Sequence, residues 1–304
     1  MRIRVLDLDG SLPDQPAIAE RLAKGRASLL PLRSRGASLR LWANRRSYET
    51  FEALWRGLPQ QSSPLLTLVG SGDFHHLTAS FIAAAKGPIS VVHFDNHPDW
   101  CWTMPRRHCG SWVNEVLEMD HVYRVVTIGP SSSDLVRPDR KGANLQALSS
   151  GRLEVFPWRH EPSRVSTLLH SGAGHTFESG GIIRWHNLAE TGWDAFLDDL
   201  VSRLPTERIW ITVDKDVLPS HEAVTNWDQG ALPLDYVIKA IGRLAARFKI
   251  VGADICGEYA PARYLNPLKY VEARLDQPRR PKNPALDVNA RTNERLISTF
   301  EEVL

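Results

Sequence analysis

Short, nearly uninterrupted apolar runs rich in β-branched residues recur along this chain, and two of them stop on acidic clusters. Ile89-Ser90-Val91-Val92 leads into His93-Phe94-Asp95-Asn96-His97-Pro98-Asp99-Trp100. Ile209-Trp210-Ile211-Thr212-Val213 leads into Asp214-Lys215-Asp216. A run without polar alternation reads as a strand covered on both faces, as in a parallel sheet sandwiched between helices. Eight strand-like segments can be read: Ile3–Asp7, Leu65–Val69, Ile89–Phe94, Arg124–Ile128, Leu153–Phe156, Gly181–Trp185, Ile209–Val213 and Ile250–Ile255. Helical patterns lie between many of them, at Ser47–Gly57, Thr78–Lys86, Ser111–Met119, Trp193–Leu204 and Leu234–Phe248. This alternation predicts an α/β fold: a single-domain, doubly wound sheet of about eight mostly parallel strands with helices on both faces, spanning 1–304. Pro130–Ser150 reads as a loop or lid. Asp276–Asn289, within an extended Pro-rich arm at about 274–292, precedes a short amphipathic C-terminal helix, Asn293–Leu304; the arm is expected to reach a neighbouring subunit.

Ligands of such sheets sit beyond the carboxyl ends of the strands, where both acidic clusters fall. Side chains at i, i+2 and i+4 of an extended chain point one way, so Asp95, His97 and Asp99 should converge, with neighbouring Cα atoms roughly 6–7 Å apart. Asp214 and Asp216 repeat the spacing. Four carboxylates aimed into one space repel strongly at pH 7 unless cations sit between them. Lys215 is discordant there. On a strand it points away from the acidic face, under the helices; turned inward, its ammonium would replace one cation.

The formal net charge of +2 argues against a dedicated nucleic-acid binder. No apolar run approaches a membrane span, and the first residues enter a strand pattern with no signal-peptide core. Three cysteines, an odd number without metal-type spacing, point to reduced thiols in a cytoplasmic protein. Val5-Leu6-Asp7-Leu8-Asp9-Gly10-Ser11 matches the DxDG[ST] pattern of haloacid-dehalogenase-type phosphatases, which would make Asp7 a nucleophile. Gly252-Ala253-Asp254 is a poor stand-in for the second acidic pair such enzymes need, so a strand running into an Asp/Gly turn is the preferred reading.

Several stretches together resemble the ureohydrolase superfamily, the arginase, agmatinase and formiminoglutamase group. Gly70-Ser71-Gly72-Asp73-Phe74-His75-His76-Leu77-Thr78 is similar to that family's GGDHSLT turn, with Phe74 where the family has Asp. The resemblance implies a metal ligand at His75, with His76 the alternative. Asp95, His97 and Asp99 match DAHxD. His108-Cys109-Gly110 followed by a helix and Arg124-Val125-Val126-Thr127-Ile128-Gly129 resembles the HG segment and its strand, making His108 the proton-shuttling histidine. Thr212–Ser220 resembles SxDxDxxDP, one residue short and with Leu218 in place of the last Asp; it implies Asp214 and Asp216 as the remaining ligands. Asp254-Ile255-Cys256-Gly257-Glu258-Tyr259-Ala260-Pro261 resembles DIxExNP, with Glu258 the carboxylate that holds a guanidinium or amidine.

The set His75, Asp95, His97, Asp99, Asp214 and Asp216 offers four carboxylates and two imidazoles. Such donors suit two divalent ions, manganese first, with zinc or iron as alternatives. The expected activity is hydrolysis of a non-peptide C–N bond in a guanidino, amidine or related small molecule by a metal-bridging hydroxide. His108 would relay the proton to the leaving amine, and Glu258 would orient a cationic head. Walls for the substrate are expected from Pro130–Ser150 and Ser220–Asp228. The alternatives are a deacetylase-like amidohydrolase with one metal, or a catalytically idle binding or assembly relative. Family likeness also implies a homo-oligomer.

Overall fold

Because the apolar runs are buried on both faces, they stack side by side in one sheet. The computed structural model describes residues 2–59, 64–102, 107–262, 264–278 and 287–304. Its strands are β1 (Arg2–Asp7), β2 (Ala27–Pro31), β3 (Leu65–Gly70), β4 (Ile89–Phe94), β5 (Val122–Ile128), β6 (Leu153–Phe156), β7 (Ser163–Arg164), β8 (His175–Glu178), β9 (Ile182–Trp185), β10 (Arg208–Asp214) and β11 (Lys249–Cys256). Eight form a wholly parallel sheet in the order β2-β1-β3-β11-β10-β4-β5-β6. The other three make a small antiparallel sheet, β7-β9-β8.

The helices are α1 (Pro16–Ala23), α2 (Arg33–Leu39), α3 (Arg45–Gly57), α4 (Leu77–Ala83), α5 (Trp112–Leu117), α6 (Pro138–Lys141), α7 (Leu145–Ser149), α8 (Trp193–Arg203), α9 (Leu234–Ala245), α10 (Pro267–Asp276) and α11 (Asp287–Val303). Each main helix buries one stripe, as in α9, where Leu234, Val237, Ala240, Ile241 and Leu244 face inward. Two hydrophobic layers result. Val92, Phe94, Ile211 and Val213 point into the layer under α1, α8, α9 and α11. Ile89, Val91 and Trp210 point into the opposite layer under α3, α4 and α5. Strand alternation therefore puts His93, Asp95, Thr212 and Asp214 on the α4/α5 side. No helix among the described residues is long and apolar enough to cross a membrane.

Three expectations change. Gly181–Trp185 is not a central strand; Ile182–Trp185 pairs antiparallel in the small sheet. The eighth strand of the parallel sheet is instead β2, an edge strand ending in Pro31 and largely exposed, so it lacks the buried apolar signature. The C-terminal helix begins at Asp287 rather than Asn293. Its first turns bury Asn289, Thr292 and Asn293, polar residues that conceal its period. Pro130–Ser150 also carries order of its own, in α6 and α7. Of the proposed arm, residues 279–286 lie outside the described residues.

Lys215 follows Asp214 and so faces the other layer, as strand alternation requires. It is fully buried. Its ammonium pairs with Glu258 and donates to Asn293 Oδ1 at 2.9 Å, so it does not stand in for a cation at the acidic cluster. Glu258 also accepts from Asn293 Nδ2 (2.6 Å), Asn289 Nδ2 (2.9 Å) and Gln15 Nε2 (3.1 Å). One buried ion pair thus ties α11 and the loop before α1 to the ends of β10 and β11. Lys215→Met strands the Glu258 charge and is expected to cost about 3–5 kcal/mol in urea unfolding. Lys215→Met with Glu258→Gln should recover most of that loss; a double variant as unstable as the single would contradict this account.

Candidate metal centre

β3 and β4 are consecutive in sequence, yet β11 and β10 lie between them. The crevice at their carboxyl ends is where side chains from four strands can meet. Register sets the arrangement. Asp254, Thr212, His93 and Thr127 form one row across β11, β10, β4 and β5. In the next row Cys256 lies opposite Asp214, with Asp95 just past the end of β4.

Turns complete the cluster. After β3, a 3-10 turn over Gly72–Phe74 delivers His75. A Cβ on Gly72 would stand 2.6 Å from Asp214 Oδ2, so only glycine lets that turn approach. β4 stops at Phe94, and Asp95 Oδ1 accepts the His97 N–H at 2.6 Å. Asp99 sits at φ 47°, in the left-handed region that Asp tolerates better than most residues. Asp95, His97 and Asp99 therefore converge through a turn, not through continued strand alternation. Asp214 Oδ1 accepts the Asp216 N–H at 3.0 Å, and the Asn96 N–H binds Asp216 Oδ1 at 3.0 Å.

Two donor groups share Asp95. In the first, His75 Nδ1 lies 3.0 Å from Asp95 Oδ2, 3.0 Å from Asp99 Oδ2 and 3.6 Å from Asp214 Oδ2. It is buried and makes no hydrogen bond. Its Nε2 is 2.9 Å from Thr212 Oγ1, which gives its own proton to Asp254 Oδ1 at 2.8 Å. Asp254 is filled further by Thr78 Oγ1 (2.7 Å) and Trp210 Nε1 (2.6 Å). Thr212 can then only accept from His75, so a neutral His75 carries its proton on Nε2 and aims the Nδ1 lone pair at the carboxylates. In the second group, His97 Nδ1 is 3.0 Å from Asp216 Oδ2 and 3.5 Å from Asp95 Oδ1, while its Nε2 meets Asp228 Oδ1 at 2.9 Å. Lone pairs facing carboxylate oxygens repel unless a cation lies between, so both groups fit a divalent ion.

Without metal, protons take that place. Burial and the Asp95 charge push Asp99 up to about 6. Burial and neighbouring carboxylates also raise Asp214 and Asp216. In Asp95 burial is outweighed by His93, His75 and His97, and its pKa falls well below the usual carboxylate range. His75 is raised against the pull of burial by Cys256, Asp95 and Asp99, and His97 by Asp216, Asp228 and Asp95.

A cavity of about 380 Å³ opens onto the cluster. His75, Asp95, His97, Asp99, Asp214 and Asp216 all line it. His108 is on its wall, apart from the two donor groups; its Nδ1 accepts from Gly110 N at 3.0 Å and its Nε2 faces Glu272 Oε1 at 3.3 Å. Glu258 does not line it, because its oxygens are occupied by Lys215, Asn289, Asn293 and Gln15. The expectation that Glu258 meets a substrate cation is therefore corrected. Gly257, at φ 88°, breaks the alternation after Cys256 and sends Glu258 to the opposite layer. His76 is buried against Tyr48, outside the cluster, and burial depresses it well below the ordinary histidine value. Asp7 is bound to Arg33, and Asp9 to Ser11 and the Ser71 N–H, as turn residues.

His93, Cys256 and Glu272 were not among the expected site residues, and Trp227 and Asp228 were expected only as part of the Ser220–Asp228 wall. His93 Nε2 lies 2.8 Å from Asp95 Oδ2, and the two-residue spacing to Asp95 was its readable signal. Trp227 packs edge-on against His97. Glu272, on α10, has no signature in its own stretch. Parts of both expected wall segments do reach the cavity, through Ser132, Asp134, Trp227 and Asp228.

A parallel eight-stranded sheet in this order, gathering His and Asp from its central strand ends, has the fold of arginase and its structural neighbours, with a buried His/Asp cluster that could hold metal. Over 100% of this chain and 98% of the other, the structure is similar to arginase from Bacillus subtilis (TM-score 0.61, 15% identity). Proclavaminate amidino hydrolase from Streptomyces clavuligerus matches over 100% of this chain and 92% of its own (TM-score 0.59, 15% identity). Agmatine ureohydrolase of Thermoplasma volcanium matches over 99% and 89% (TM-score 0.57, 14% identity). An uncharacterised protein of Thermotoga maritima is 26% identical over 199 residues, 66% of this chain and 60% of that protein, so the match spans less than two thirds of its length. No protein-family model matches the chain.

Two measurements follow from the geometry. Asp254→Asn or Thr212→Val loosens the His75 tautomer and should weaken divalent-metal affinity by about 10–100-fold while the fold persists; unchanged affinity in titration calorimetry would show that the relay does not position His75. The second concerns pH in the chelated protein. Asp99, Asp214, Asp216, His75 and His97 have folded pKa values above their unfolded ones, so the stability each contributes is present at low pH and lost as pH rises through the folded value. Asp95 and Asp228 run the other way. The melting temperature of chelated protein should fall from about pH 5 to about pH 8, and the gain on adding a divalent ion should grow over the same range; a pH-independent gain would contradict the assignment.

Proposed function

We propose that this protein is a hydrolase of a non-peptide C–N bond in a guanidino, amidine or related small molecule, working with two divalent ions. The carrying observation is that His75 Nδ1 lies within 3.6 Å of Asp95, Asp99 and Asp214 while His97 Nδ1 lies within 3.5 Å of Asp95 and Asp216, so that Asp95 joins the two sets on one cavity. Divalent ions held there would supply a nucleophilic water at neutral pH and offset negative charge developing on the substrate carbon's substituents. A one-metal, deacetylase-like reading fits less well, because both His75 and Asp99 are in place. Manganese is the first choice for the oxygen-rich group around Asp95, His97 and Asp216.

The remaining roles belong to the cavity wall. His108 carries its proton on Nε2, since Nδ1 accepts from Gly110, and Glu272 holds that proton outward into the cavity. It is placed to pass a proton to a leaving amine. Asp276 lines the cavity with no ion-pair or hydrogen-bond partner among the described residues, while Asp134 is paired with Lys141 and Asp228 with His97. Asp276 is therefore the carboxylate for a cationic substrate head, the part once expected of Glu258.

The test is metal content followed by turnover. Protein loaded with manganese should hold close to two ions per chain, falling in Asp95→Ala and Asp214→Ala, and should release urea, ammonia or acid from some member of a guanidino, amidine and amide panel. His108→Ala should lower kcat by about 10²–10⁴-fold, and Asp276→Asn should act mainly on KM. No metal under any loading would sink the hydrolase and favour a binding or assembly role for the fold.

A further inference from the structure

We propose that Cys256 is a sulfur ligand of the ion held by His75, so that the two halves of the centre differ in chemical character. The inference rests on reading the cluster as a metal centre. Parallel register sets Cys256 directly opposite Asp214, at the same height as the shared carboxylates. Its Sγ lies 3.1 Å from Asp214 Oδ2. The ligand atoms of His75, Asp214 and Cys256 all fall within 4.8 Å of one another. Independently, His75 is 2% exposed and its Nδ1 has no hydrogen-bond partner while it faces this space. Cys256 packs in the apolar layer under α3, α4 and α5, as a core cysteine would, but its Sγ also faces the Asp214 carboxylate and the His75 ring.

The local backbone enforces the placement. A Cβ at Gly257 would lie 2.4 Å from Asp214 Oδ1, so glycine lets the end of β11 press against Asp214. The register shift between Ile255 and Cys256 in the pairing with β3 marks the same adjustment. The other thiols are differently placed: Cys101 Sγ is 3.7 Å from Asp134 and Cys109 Sγ 3.7 Å from His108, and neither belongs to a donor group with His75.

Sulfur changes which ion is favoured. Thiolate ligands select zinc, iron(II) and cobalt(II) over manganese, whereas Asp95, His97 and Asp216 form a sulfur-free group that suits manganese. The centre is thus built for two unlike ions, the softer one beside Cys256. On ligation the thiol proton, now directed at Asp214, passes to solvent.

Full-length protein loaded with cobalt(II) reports this directly, because a thiolate on cobalt gives an intense near-ultraviolet charge-transfer absorption. The band should be present in the native protein and lost in Cys256→Ser. It should persist in the Cys101→Ser, Cys109→Ser double variant, which keeps the test alive if Cys256→Ser fails to fold. Zinc preference over manganese should fall by about tenfold or more in Cys256→Ser. Bound cobalt without the band, or a band that disappears in the double variant, overturns the Cys256 assignment and leaves the metal centre standing. Failure to bind cobalt, zinc or manganese overturns both.

Discussion

Four carboxylates buried at one end of a sheet are the constraint on which the rest depends. Asp95, Asp99, Asp214 and Asp216 are each between 1% and 4% exposed. An unneutralised buried carboxylate costs several kcal/mol, so four kept together require positive charge among them, which in the metal-free chain comes from the raised His75 and His97 and from protons shared by the acids. The surroundings point the same way. Backbone N–H groups of His97, Asn96 and the second aspartate of β10's turn hold three of the acids in position. Trp112 Nε1 binds Asp99 Oδ2 at 2.6 Å and fixes the fourth. His75 and His97 each anchor one ring nitrogen on a neighbour and turn the other toward the acids. These contacts orient the oxygens without cancelling their charge, as expected of a site that positions ligands rather than ion pairs.

The opposite face of the same strands solves a different problem. Immediately after Asp214, Lys215 enters the layer below and finds Glu258, with three side-chain amides filling the remaining positions. The ion pair is buried, and neither residue lines the cavity that opens onto the cluster. Its value is positional, because it joins the strand that carries Asp214 to α11, whose Asn289 also pairs with the Val224 backbone. Strand alternation keeps these two charged systems apart although they are adjacent in sequence.

Much of this was legible from residue order, and the failures have physical causes. Continuous apolar runs identified seven of the eight strands of the parallel sheet, because both-face burial leaves a continuous hydrophobic signature. β2 escaped because an edge strand needs no such signature, and β9 was misplaced because a short half-buried strand looks alike in either kind of sheet. The six expected ligands lie on one cavity, since spacing on strands and their end turns is a local property. Asp228, Glu272 and Trp227 arrive from loops and a helix far along the chain; nothing local in those stretches says that they will meet His97 or His108.

Glu258 shows how one residue redirects a site. Between Asp254 and Pro261 the chain carries one more residue than the DIxExNP pattern allows. The strand absorbs it with the register shift at Cys256 and the left-handed turn at Gly257, so the thiol takes the height at which the acids gather and the glutamate is carried to Lys215. The carboxylates of the cavity outside the cluster then come from other elements: Glu272 and Asp276 project from α10 beside His108, whereas the acids of the cluster stand at strand ends and in the turns that follow them, so the lining is acidic on two sides for two different structural reasons.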